Sequence, residues 1–226
     1  MPYDEIARAA SERGEVVLRR RRDGEDPDEP GVVELRVNGV FVMDTLETST
    51  ERELAAVALR QVEQPLHVLV GGLGLGFTAH EVLADPRVER VDVVEVEEAL
   101  VGWMRDGTVP HGPTFLADER LHLVVADVRA AVAEVVPRSY DLVLLDVDNG
   151  PGHLVFEGNL EIYQDAFLSR LAEVLRPGGA VAVWSAAESK PLVSAMSRAF
   201  GTVTPVAYDV DFQGRSAEYY LYIGRP

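Results

Sequence analysis

Apolar residues recur in two periods along this chain, and the alternation between the periods predicts its architecture. Short β-branched runs at residues 66–70, 88–94, 121–125, 140–145 and 180–184 are too short for helices, and they read as buried strands. Between them, residues 48–64, 97–105, 126–136, 160–176 and 188–200, and a segment opening at about Phe77, space their apolar side chains as a helix face does. Leu54, Val57, Ala58 and Val62 mark the first such stripe, with Ser49 or Thr50 as the expected cap and Pro65 as the stop. Ile162, Phe167, Leu171, Val174 and Leu175 mark the stripe of residues 160–176, closed by Pro-Gly-Gly at 177–179. Two last runs, 203–210 and 217–223, are separated by Gln213-Gly214. Strands alternating with helices imply an α/β, doubly wound, Rossmann-like sheet of seven strands, in which the closing pair supplies one antiparallel edge strand.

The first 47 residues follow a different pattern. Residues 1–14 read as a short helix or loose arm, and residues 15–22 and 31–37 as strands flanking an exposed loop, DGEDPDEP. Asn38-Gly39 between valine-rich runs predicts a β-hairpin, because both residues tolerate the positive φ of a type I′ turn. The expected division is an arm with a small β-hairpin appendage over 1–47 and a Rossmann-like domain over 48–226. A hairpin alone is marginal in water, so the appendage must pack on the main domain or on a second subunit. Arg19, Arg20, Arg21 and Arg22 are flanked by acids and read as a solvated strand end rather than a binding patch.

Composition narrows the function. At 226 residues the chain suits one α/β domain with a small addition. A net charge of −17, from 38 acidic and 21 basic residues, argues against nucleic acid or an anionic membrane as partner. With no cysteine, disulfides, thiolate metal sites and cysteine nucleophiles are excluded. The first residues lack the pattern of a secretory signal, and no apolar run reaches membrane-spanning length, so a cytoplasmic protein is expected. Lys190 is the only lysine.

The candidate chemistry sits at strand ends. Gly72, Gly74 and Gly76 form G-x-G-x-G directly after the first core strand, a turn in which a ligand approaches backbone without meeting a Cβ. Glu95 ends the second core strand, nineteen residues after Gly76, where a carboxylate can accept both hydroxyls of a ribose. The turn lacks G-K-[ST] and is therefore not a P-loop. Asp127 follows the third strand and Asp146 ends the fourth. Singly, Glu95 reads as a solvated strand end and Asp127 as a helix N-cap. Together, all four signals fall on the carboxyl rim of a parallel sheet, where ligands of such folds bind. After Asp146 comes the loop VDNGPGHLVFEGN, long enough to close over a ligand. Within it Asp148, Asn149 and His153 crowd the same rim; His153 is either a base near neutral pH or a surface histidine. Asp146, Asp148 and Asn149 also form an oxygen set suited to Mg²⁺, but Trp184-Ser185 after the fifth strand adds no ligand, and no metal is expected.

These stretches resemble the class I S-adenosylmethionine-dependent methyltransferase superfamily and, within it, the spermidine synthase-like branch. The resemblance spans about residues 37–225 and is carried by VNGVFVMDTLETSTERE, VLVGGLGLGF, VDVVEVE, VVADVRA, YDLVLLDVDNGPG and LRPGGAVAVW. It implies a transferase whose co-substrate is S-adenosylmethionine or decarboxylated S-adenosylmethionine, acting on a small, amine-bearing acceptor, and it implies a homodimer. By the same resemblance Gly72, Gly74 and Gly76 hold the amino-acid or aminopropyl arm. Glu95, with the adjoining Val96, takes the ribose, Asp127 and the Val128 amide take adenine, and Asp146 is the catalytic Asp that binds and deprotonates the attacking amine. Asp148, Asn149, His153 and Trp184 fall at the acceptor site. The chain departs from the family at Leu75 and Val42, where an Asp and a Gln are usual, at Ala56 to Ala58, where a Tyr-x-Glu falls, and at Asn149, where D-x-x-D has its second Asp. A methyltransferase acting on a small molecule and a non-catalytic nucleoside-binding protein are the competing readings.

Overall fold

A computed structural model describes residues 3–22, 31–212 and 215–226. The 23–30 loop and the Gln213-Gly214 turn expected from the sequence lie outside the described residues.

The N-terminal unit is a four-stranded antiparallel sheet, β1 (Tyr3–Ser11), β2 (Gly14–Arg21), β3 (Val32–Val37) and β4 (Val40–Asp44), in that spatial order. Asn38 and Gly39 turn β3 into β4 at φ 52° and 77°, as the hairpin reading requires. The expectation for residues 1–14 is corrected: they form β1, paired with β2 from Tyr3↔Arg21 to Ser11↔Gly14 across a bulge between Glu5 and Ala7. An isolated helix of that length is marginal, whereas pairing satisfies the backbone and lets Ile6, Ala7 and Ala9 pack on the core.

The main sheet holds β5 (His67–Gly71), β6 (Arg90–Glu95), β7 (Leu121–Val125), β8 (Tyr140–Leu145), β9 (Leu175–Ser185), β10 (Thr202–Phe212) and β11 (Arg215–Arg225), in the order β10-β11-β9-β8-β5-β6-β7. Seven strands were expected, with one antiparallel strand at the edge. The strand that reverses direction, β11, instead lies between β9 and β10, so β10 forms the edge.

The helices are α1 (Ser49–Leu59), α2 (Phe77–Ala84), α3 (Glu98–Asp106), α4 (Gly112–Leu116), α5 (Val128–Glu134), α6 (Asp165–Val174) and α7 (Lys190–Phe200). Three expectations are corrected here. The N-cap of α1 is Thr48, and the Glu47 carboxylate, not a hydroxyl, takes the Ser49 amide at 2.8 Å. α4 opens at Gly112, within the predicted 107–113 loop. The helix predicted over 160–176 is split into a 3₁₀ helix, Glu157–Tyr163, and α6, with Gln164 extended between them. Asn159, within the 3₁₀ segment, is bonded back to Asp148 at 2.6 Å. Pro-Gly-Gly lies inside β9, whose pairing with β8 skips from Tyr140↔Leu175 to Leu142↔Ala180.

Apolar clusters cover both faces of the sheet. One contains Val16, Leu18, Val33, Leu35 and Met43 of the N-terminal sheet together with Leu54, Ala58, Val70 and Leu142 of the main domain. The appendage is thus buried against its own chain. No helix among the described residues is long and apolar enough to cross a membrane.

The parallel ladder continues one residue beyond the strands. Asp146 N donates to Gly71 O at 2.8 Å, Gly72 N to Val94 O at 2.8 Å, and Ala126 N to Glu95 O at 2.9 Å. Gly72 has φ 93°, and a Cβ there would lie 1.9 Å from the Asp146 carbonyl oxygen. The rim is therefore built around the absence of one side chain. Gly72→Ala should lower unfolding free energy by at least roughly 2 kcal/mol in urea denaturation, combining left-handed strain with overlap against backbone; an unchanged midpoint would show that the rim is pliable.

Candidate active site

The rim and the N-terminal sheet enclose a cleft of about 880 Å³, counted to its mouth. Its roof carries Val16, Leu35, Val37, Val42 and Met43, and its floor the glycine turn, Glu95 and Asp146. Met43 joins roof to floor: its sulfur accepts the Leu75 amide at 3.1 Å, and a Cβ on Gly74 would meet it at 2.5 Å. Gly72 and Gly74 face the cleft. Gly76, at φ 88°, is the N-cap of α2.

Glu95 is buried, and its carboxylate steadies the turn: Oε2 accepts the Leu73 amide at 2.9 Å and Oε1 the Glu97 amide at 2.7 Å. Each oxygen keeps one lone pair for a ligand hydroxyl. Burial raises its pKa, and the amides work against that rise. Val96 lines the cleft beside it.

Asp127 serves as the N-cap of α5, accepting the Arg129 amide at 2.8 Å. Its Oδ2 also takes Arg129 and Arg13 guanidinium nitrogens, each at 2.6 Å. The Arg129 and then the Arg13 cations hold its pKa below the usual range against some burial. Asp127, Val128 and Arg13 bound a smaller recess of about 330 Å³ that adjoins the main cleft. Arg13 belongs to the β1–β2 turn and lies 4.7 Å from the Phe156 ring centre. Asn38 donates to both Arg13 O and Val155 O at 3.0 Å, tying this turn to the loop after β8.

In that loop the structure separates the candidates. Asp148 is consumed by the loop itself, accepting Asn149 N at 2.7 Å, Val155 N at 2.9 Å and Asn159 Nδ2 at 2.6 Å. Asn149 lines the cleft and donates to Phe41 O at 3.1 Å. His153 is exposed and does not line the cleft, so of its two readings the structure matches the surface one. Trp184 forms a wall, 6% exposed, with Tyr219 edge-on at 5.0 Å and with Nε1 unpaired.

Asp146 Oδ2 accepts the Thr78 hydroxyl at 2.6 Å. Across the same floor stands Glu51 of α1, 7% exposed, whose Oε2 takes the Thr50 hydroxyl at 3.1 Å. Burial, and next the Asp146 charge, push Glu51 up to about 8; burial also raises Asp146, with the Thr78 bond opposing. Among the described residues no arginine or lysine pairs with either carboxylate. Sequence reasoning missed Glu51, although a signal existed: it stands three and seven residues before Leu54 and Ala58, an acid on the buried stripe of α1. Val57 and Ala58, in the segment assigned to the family's Tyr-x-Glu, are core residues, and Leu75 is buried away from the cleft. Arg13 was missed because its segment was expected to be a loose arm.

Sheet order and rim define a class I methyltransferase-like fold. Within that class, a profile of the spermine/spermidine synthase domain matches residues 47–208, and the chain belongs to this family. Among curated relatives, putrescine N-methyltransferase 3 of Nicotiana tabacum is 31% identical over 125 residues, 54% of this chain and 31% of that protein. Polyamine aminopropyltransferase 2 of Pseudomonas aeruginosa is 34% identical over 146 residues, 61% of this chain and 40% of that protein. The chain thus spans about a third of the length of the first relatives it matches. In fold it is similar to a spermidine synthase solved in complex with the transition state analogue AdoDATO, with a TM-score of 0.81 at 19% identity, covering 98% of this chain and 73% of that one. Spermidine synthase from Thermotoga maritima gives a TM-score of 0.79 at 19% identity, covering 98% and 72%.

Because Glu51 is held near 8 in the folded chain against an ordinary 4.5, the folded state binds the extra proton between those values. Its contribution is fully favourable below about pH 4.5 and is lost as pH rises through about 8. Glu51→Gln should therefore match wild type near pH 4.5 and become more stable than it by roughly 2–4 kcal/mol at pH 8.5. Urea denaturation across that range reads the difference, and a difference that does not change with pH would mean that Glu51 is ionised in the fold throughout.

Proposed function

We propose that the protein transfers an alkyl group from an S-adenosyl-type nucleoside to a primary amine. The observation that carries this reading is convergence: a glycine turn and a ribose-type carboxylate share one cleft with two further carboxylates, Glu51 buried and Asp146 half-buried, suited to an amine. A sulfonium carbon is already electrophilic, so the protein's task is to align the amine and take its proton. In the proposed step the amine nitrogen bonds to that carbon, the carbon–sulfur pair stays on sulfur, and Asp146 receives the displaced proton. Glu95 holds the ribose, and Gly72 and Gly74 admit the sulfonium arm. Asp127 and the Val128 amide face the recess suited to adenine.

Decarboxylated S-adenosylmethionine is the co-substrate we favour, which makes the transferred group aminopropyl. Among the described residues Arg13 is the only cation lining the cleft, and it is already paired with Asp127, so a carboxylate-bearing tail has no free cation to meet there. Methyl transfer from S-adenosylmethionine is the second reading, supported by the likeness to a putrescine N-methyltransferase. Calorimetric titration with methylthioadenosine and S-adenosylhomocysteine separates the two, since each is the product of one transfer. Tighter binding of methylthioadenosine by at least about tenfold is expected; the reverse preference assigns methyl transfer, and no binding of either removes the nucleoside reading.

Two substitutions test the roles. Glu95→Gln should weaken nucleoside binding at least roughly tenfold, because two charge-assisted bonds are weakened at once. Asp146→Asn should lower turnover about a hundredfold or more with nucleoside affinity nearly unchanged. Loss of nucleoside affinity in Asp146→Asn, with turnover lost and affinity intact in Glu95→Gln, would exchange the assignments.

The proposed assembly is a homodimer through the β3–β4 hairpin and the segment that follows it, where Val40 and Leu46 are 42% and 63% exposed. Light scattering should give twice 24.7 kDa at micromolar concentration, and a monomer mass removes the dimer.

A further inference from the structure

The acceptor's chemistry follows from which carboxylates of the cleft are free. Asp148 is occupied by three donors of its own loop, and Glu95 by two amides of the turn and its neighbour. Glu97 sits at the nucleoside side, within 3.3 Å of the Ser11 hydroxyl. That leaves Glu51 and Asp146, which face one another at the end of the cleft walled by Trp184 and roofed by Val42 and Met43.

We infer that Glu51 is a second substrate-binding carboxylate opposite Asp146, and that the acceptor it selects is a primary amine carrying one cationic group on an apolar body. The inference rests on the amine-transfer reading above and adds the specificity of the acceptor end.

Three observations support it. A buried carboxylate beside a half-buried one, neither with a cation, is costly, and a bound ammonium supplies the missing charge with three donors. Besides these carboxylates, that end holds an unpartnered donor, the Trp184 indole N–H, which is suited to an acceptor atom or a bridging water at the ammonium. Beyond them the surfaces are Val42, Met43 and the Trp184 ring, with no second uncommitted carboxylate at this end among the described residues to receive a distal ammonium. A distal charge would be stripped of water against apolar side chains, whereas a methyl terminus would gain by burial.

The charged groups facing Glu51 press in one direction, opposed only by hydrogen bonds from the Thr50 hydroxyl and the backbone. Asp146 from the end of β8 and Glu47 ahead of α1 both raise it, and Tyr219 on β11 is itself raised by burial and then by Glu51, Glu47 and Asp44. An arriving ammonium reverses that field, so the proton held by the pair at neutral pH is released as the amine binds.

The test is calorimetric titration at pH 7 of protein saturated with its preferred product nucleoside, using pentylamine and 1,5-diaminopentane in two buffers of different ionisation heat. Pentylamine should bind at least as tightly as the diamine and release about one proton per amine bound. Glu51→Gln should weaken pentylamine at least about tenfold and abolish most of the proton release, while nucleoside affinity stays within about threefold. A diamine preferred by about tenfold or more, wild-type pentylamine affinity in Glu51→Gln, or no binding of either amine to nucleoside-loaded protein overturns the inference. Failure to bind any nucleoside strikes the transfer reading instead, and amine titration of the free protein then still decides the role of Glu51.

Discussion

Everything in the cleft depends on the contact between the backbone of Gly72 and the carbonyl of Asp146. Neighbouring parallel strands normally diverge where their ladder ends. Here the ladder runs one residue further on both sides of β5, so the chain leaves the sheet with Gly72, Glu95 and Asp146 already in register. A side chain at Gly72 would force β5 and β8 apart at the rim, and the alignment of turn and acid would go with them. The chemistry is thus placed by sheet hydrogen bonds rather than by loop packing, which suits a site whose main task is alignment.

Much of this was legible because it is periodic or local. Short apolar runs fixed the strands of the main sheet, and β7 and β8 match their expected bounds. Glu95 and Asp146 were found because a strand end is visible in sequence and the carboxyl rim follows from topology. What stayed hidden depends on contacts between distant segments. β1 forms because β2 is beside it, and no local pattern announces that pairing. Asp127 is an N-cap and an ion-pair partner at once, and its partner Arg13 lies 114 residues away. Asp148 resembles a ligand in sequence but is a brace for its own loop, since only the folded loop shows three donors converging on it. Glu51 was passed over for a different reason: in a helix start rich in acids, one more acid looks like a solvated face, and only its phase relative to Leu54 and Ala58 distinguishes it.

The two sheets also divide the electrostatic work. The N-terminal sheet contributes an almost wholly apolar roof, while the carboxylates come from the main domain. Roof and floor are joined at few points: Met43 on the glycine turn, Asn38 on the loop after β8, and Arg13 on Asp127. Such a join shields Glu51 and Glu95 from solvent while leaving the mouth open. Charges shielded in this way interact far more strongly than the same groups would on a surface.

Trp184 makes the cleft visible to light. The chain has two tryptophans, and the other, Trp103, is half-buried on α3 and does not line the cleft. Indole emission responds to the field and the hydration around its ring, and Trp184 stands in the wall beside Glu51 and Asp146 with its N–H unpaired. A cation that settles between those carboxylates changes the field on one emitter and leaves the other as an internal standard. With Trp103 replaced by phenylalanine, occupancy of the acceptor end becomes an optical signal that requires no attached dye and can be followed on the timescale of mixing.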